Sequence, residues 1–106
     1  MAVVKLSITP IQGFPGNYKV NVSGSGFIPN RRVLWQLKGE DTFIDDNIIA
    51  PHGGGLVSPG GTFGFEDNAI GGNLNEDWGN DEIYADVYYD ELGGFHYKSN
   101  TVTGNF

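Results

Sequence analysis

The chain has 106 residues and no cysteine, and thirteen Asp and Glu against six Lys and Arg give it a net charge of -7. That length suits one ordinary domain able to bury an apolar core without metals or crosslinks. The missing cysteines exclude disulfides, thiolate metal sites and a cysteine nucleophile, and the acidic balance excludes nucleic acid as an expected partner. The charges are also segregated: residues 1–39 carry five of the six basic side chains and no carboxylate, while every acidic residue lies between Glu40 and Glu91.

Seventeen glycines punctuate the chain, and the segments between them alternate with period two, the mark of strands joined by turns. Val4, Leu6 and Ile8 alternate with Lys5 and Ser7 in a first strand. The turn-forming run Gln12–Asn17 leads into a second strand, with Tyr18, Val20 and Val22 on one face. A third places Val33, Trp35 and Leu37 on one face and Leu34, Gln36 and Lys38 on the other. A weaker strand is expected over 43–49, then a Gly/Pro loop over 51–61 whose Gly53–Gly55 and Gly60–Gly61 read as a flexible tip. Thr62 to Phe65 reads as a short aromatic strand, and the polar stretch 66–82 as a long irregular connection. Ile83, Ala85, Val87 and Tyr89 then alternate with Tyr84, Asp86 and Tyr88, and a turn over 90–94 leads into a last strand over 95–102, making a hairpin. About seven strands with closely spaced turns predict an all-β, antiparallel β-sandwich in which residues 1–106 form one domain.

Trp35 follows Val22 by thirteen residues and Val87 follows it by sixty-five, and Asp81 stands six residues before Val87. In this spacing the chain resembles an immunoglobulin-type domain, with Val22 and Val87 where that family places its two cysteines and Trp35 at its core tryptophan. The run Gly24-Ser25-Gly26-Phe27-Ile28-Pro29 resembles the corresponding connection of bacterial immunoglobulin-like repeats, which implies an adhesive or spacer module. With valine at both cysteine positions and Ala85 at the corner tyrosine position, neither the disulfide nor the tyrosine corner of that family is available.

Two candidate sites follow. If the strands pair in immunoglobulin-like order, Glu40, Asp41, Glu66, Asp67, Glu76, Asp77 and Asp81 emerge at one end. Crowded carboxylates repel one another, and Ca²⁺, which takes six to eight oxygen ligands, would relieve that repulsion; a solvated acidic end is the competing reading. The second site is an outer sheet face carrying Leu34, Gln36, Lys38, Tyr84, Asp86, Tyr88, His96 and Lys98, a mixture of rings and hydrogen-bonding groups suited to a protein or glycan partner. Strand propensity and ion pairing among Lys38, Asp86 and Lys98 would produce the same pattern without a partner. Trp78, among Asn, Glu and Asp, is either a sugar platform or a plug over the core. Arg31 and Arg32 could grip a carboxylate or phosphate, but Asp90 and Glu91 are expected at the same end, and an internal charge pair is the simpler reading.

His52 and His96 are the only imidazoles, and no nucleophile elbow or phosphate loop occurs, so no enzyme is expected. Asn21-Val22-Ser23 matches a glycosylation sequon inside a strand. The leading expectation is a non-catalytic binding or interaction module using the sheet face. The alternatives are a calcium- or carbohydrate-binding domain using the acidic end, and a structural spacer or assembly subunit, with self-association open. The apolar run before Pro10 is too short for a signal-peptide core or a membrane span. The expected location is the cytoplasm for a complete chain and the cell surface or exterior for an excised domain.

Overall fold

A computed structural model of the chain describes residues 2–39, 47–70, 81–90 and 95–104. Within them the protein is all-β and antiparallel, and it builds two sheets. The strands are β1 (Val3–Pro10), β2 (Asn17–Ser25), β3 (Arg32–Gly39), β4 (Asn47–Leu56), β5 (Phe63–Ile70), β6 (Asp81–Tyr89), β7 (His96–Lys98) and β8 (Val102–Gly104). The three-stranded sheet runs β1-β2-β5; the larger runs β4-β3-β6, with β7 and β8 in succession along β6. No helix among the described residues is long and apolar enough to cross a membrane.

The period-two pattern decides which face each strand hides. Val4 and Leu6, Val20 and Val22, Val33, Trp35 and Leu37, and Ile83, Ala85 and Val87 all point between the sheets and are buried. Val22 and Val87 thus fill the core with Trp35, and burying such a side chain stabilises the fold by about 1.5–3 kcal/mol each. One end of the sandwich is closed by Phe27, which packs against Phe63 and Tyr97 at ring-centre distances of 5.0 Å and against Tyr89 at 5.8 Å. The Ile28 N–H donates to the Tyr89 hydroxyl at 3.0 Å, fastening this plug to β6.

Three sequence expectations need correction. Residues 51–56 are not a loop: they complete β4 and pair with β3, with Gly55 opposite Val33, Gly54 opposite Leu34 and Gly53 opposite Trp35. A side chain at Gly53 would meet the Trp35 indole at 2.9 Å, and one at Gly55 would meet the Phe65 ring at 2.6 Å. These glycines are strand positions roofed by aromatic rings, and the ring burial outweighs the roughly 0.5–1 kcal/mol that glycine costs in a strand. Pro51 falls where the register slips between Gln36 and Leu37, on an edge strand where its missing N–H is tolerated.

Residues 66–70 likewise belong to β5, not to an irregular connection, because Glu66, Asp67 and Asn68 pair along β2 opposite Asn21, Val20 and Lys19. The last strand is broken in two. Ser99 stays on β6 through its N–H to the Ala85 carbonyl (2.9 Å) and its hydroxyl, which accepts from the Ala85 N–H (2.8 Å), while Asn100 turns toward β1.

Gly61 is the turn position with least latitude: its φ is +81°, and an added Cβ would lie 2.8 Å from the Phe27 carbonyl oxygen. Gly61→Ala is therefore expected to destabilise the protein by about 2 kcal/mol or more in thermal or urea unfolding. Gly64→Ala, in open space on a strand, is expected to be neutral or slightly stabilising.

Candidate functional site

The outer face of the larger sheet is assembled from the polar half of each strand's alternation. Pairing across the strands sets His52, Gln36, Asp86 and Lys98 in one row. Gly54, Leu34, Tyr88 and His96 form the next row, and Lys38 and Tyr84 lie together beyond the first. All eight residues expected on this face are thus on it. His52 joins them; it was missed because its segment reads as a glycine loop, and only the rings over Gly53 and Gly55 reveal the strand.

Asp86 is the centre of the arrangement. Its side chain is 6% exposed although it sits on an outward face. Gln36 Nε2 donates to Oδ2 at 3.0 Å, His96 Nδ1 lies 2.9 and 2.8 Å from the two oxygens, and Lys38 Nζ is 3.6 Å away. A buried carboxylate is tolerated only with such partners, since an unpaired one would be destabilising by several kcal/mol. Because a carboxylate only accepts, His96 Nδ1 is the donor to it, on a ring whose side chain is 55% exposed.

The aromatic residues are less available than the sequence suggests. Tyr84 is buried at 7% exposure, with Lys98 Nζ 4.3 Å from its ring centre. Tyr88 stacks on His96 at 4.7 Å. What the face presents most openly is polar: the imidazoles of His52 and His96 and the Lys98 arm are exposed, with Leu34, Gln36, Lys38 and Tyr88 half-buried beside them.

Of the residues considered for an ion, Glu40, Asp41, Glu76 and Asp77 lie outside the described residues, as does Trp78, and Asp81 is described only as the first position of β6. Glu66 and Asp67 stand in β5. The Glu66 carboxylate meets Lys19 Nζ at 3.1 Å, and Asp67 accepts from the Asn68 N–H at 2.8 Å. Among the described residues no three His, Asp or Glu side chains gather to hold a metal. Arg32 pairs with Asp90 as expected, at 3.4 Å and largely in solvent, where such a pair is worth at most about 1 kcal/mol.

Asp86→Ala is expected to lower stability by about 2–4 kcal/mol in urea unfolding, because Gln36, His96 and Lys38 lose their shared acceptor. Arg32→Ala, which removes only an exposed pair, is expected to change stability by less than about 1 kcal/mol.

No family model matches the chain, and no curated protein matches it by sequence. Among solved structures it is similar to macromomycin, with a TM-score of 0.56 and 12% identity over 92% of this chain and 98% of that one. It is also matched by a Bordetella pertussis protein named ApaA, with a TM-score of 0.48 and 13% identity over 97% of this chain and 89% of that one. At these identities the likeness to macromomycin concerns the two-sheet all-β fold alone.

Proposed function

We propose that the chain is an immunoglobulin-like β-sandwich acting as a non-catalytic interaction module, with the outer face of β4-β3-β6-β7 as its contact surface. The immunoglobulin-like assignment is supported by the strand order, in which β1, β2 and β5 form one sheet and β3, β6 and the β7–β8 strand form the other, with Trp35 between them. The functional reading rests on one observation: Asp86 holds Gln36, Lys38 and His96 in fixed positions on a face that would be more simply built from Thr and Val. Pre-positioned polar groups lose little entropy on binding, which favours recognition of hydrogen-bonding surfaces. The partner that suits this face best is a protein, because both tyrosine rings are already packed and leave no bare platform for sugar stacking. This surface performs no bond chemistry; it contributes directed hydrogen bonds and charge.

The test is selection from a displayed peptide library and a glycan array with the wild-type protein, repeated with Lys38→Glu and His96→Ala. Selected peptides should bind these variants about tenfold more weakly, the worth of one charge-assisted hydrogen bond, with each variant measured well below its own unfolding transition because both changes also take a partner from Asp86. Undiminished binding by both variants would remove this face from consideration, and hits confined to glycans would replace the protein partner with a sugar.

A further inference from the structure

A depression lies on the other sheet, beside the edge of β1 that faces away from β2. It is a cavity of about 610 Å³ lined by the segment Val3–Ser7 with Asn21, Ser23 and Asn100, and a smaller one of about 170 Å³ adjoins it at Val3, Lys5 and Ser23. Among the described residues β1 pairs only with β2, so its other edge meets no described strand. Asn100 identifies which groups these are. Its carboxamide oxygen accepts from the Leu6 N–H at 2.8 Å, and its Nδ2 donates to the Leu6 carbonyl at 3.0 Å. Antiparallel pairing alternates, so Val4 and Ile8 turn their N–H and C=O outward as Leu6 does, while Lys5 and Ser7 bond β2. Pro10, without an N–H, ends the edge.

The Asn100 amide thus occupies the place that a peptide group of an added strand would take, and it makes the same two bonds. The outward side chains beside it are small and polar, save Val3 and Lys5. No carboxylate lines either depression, and Lys5 has no ion pair with a described residue.

We propose that the β1 edge is a strand-addition site for an extended peptide of a partner protein, with Asn100 as the latch that the peptide displaces. The peptide takes main-chain hydrogen bonds from Val4, Leu6 and Ile8 over about 14 Å of strand, and it places an acidic residue opposite Lys5 between two apolar residues that continue the inner row of Val4 and Leu6. Charge favours this occupant over a second copy of the chain. A second β1 brings no carboxylate to Lys5, because residues 1–39 contain none.

The experiment titrates a fluorescent Thr-Val-Glu-Val-Thr-Val peptide, and its counterpart with Lys in place of Glu, into the wild type, Asn100→Ala and Lys5→Glu. Amide exchange is followed at Val4 and Ile8. The acidic peptide should bind Asn100→Ala about tenfold more tightly than wild type, since a competing pair of hydrogen bonds is gone, and should protect both amides. Lys5→Glu, an exposed position that leaves folding intact, should exchange the preference between the two peptides; it carries the test if Asn100→Ala does not fold. Absence of binding to wild type and Lys5→Glu alike, indifference to peptide charge, or protection elsewhere would overturn the proposal. Peptide-free association of Asn100→Ala through β1 would also overturn it and give the edge to a second copy.

Discussion

The constraint on which the larger sheet depends is the room made for aromatic rings inside the sandwich. Trp35 lies over Gly53 and Phe65 over Gly55, at distances that no side chain on either glycine would leave open. This packing holds β4 flat against β3 despite a glycine run whose intrinsic preference is for disorder. With β4 in place the sheet is four strands wide at its centre and brings His52 beside Gln36. Without it β3 would be an edge, and the polar face would lose one side. The same device recurs at Gly24, where the rings of Phe63 and Phe27 occupy the space a side chain would need.

The second organising fact is the pairing of the two charge-segregated parts of the chain. β2 lies against β5 and β3 against β6, so cations from the first third meet carboxylates from the remainder: Lys19 with Glu66, Arg32 with Asp90 and Lys38 with Asp86. Two of these pairs are largely in solvent and contribute little. The third is different in kind, because the Asp86 carboxylate is nearly buried and carries three partners. Segregation along the sequence has become registration across the sheets.

The strands with strict alternation were legible in the sequence: β1, β2, β3 and β6 follow from period two because each has one face in the core. Face membership of Gln36, Asp86, Tyr88 and His96 followed from the same parity. Legibility failed where tertiary packing overrides local preference. Gly53–Gly55 read as a tip because nothing local announces the rings that cover them, and Glu66–Ile70 read as a connection because Glu66, Asp67 and Asn68 are three consecutive exposed polar residues that break the alternation on an edge strand. The break after Lys98 was equally silent, since the Asn100 amide acts on Leu6, ninety-four residues away. The depth of Tyr84 and Asp86 on an outward face also escaped a parity argument, which assigns a direction and not an exposure.

The functional account turns on whether the Asp86 network exists to hold the fold or to present groups to a partner. Buried polar networks are often no more stabilising than well-packed apolar or β-branched replacements, although removing a single member is harmful. Fold and contact surface can therefore be separated by replacing the network as a whole with good strand formers. The direct measurement is the thermal stability of the quadruple variant Gln36→Thr, Lys38→Thr, Asp86→Thr, His96→Thr. A melting temperature equal to or above that of the wild type is the result this account predicts; a fall as large as that of Asp86→Ala alone would mean that the network serves the fold, and would contradict it.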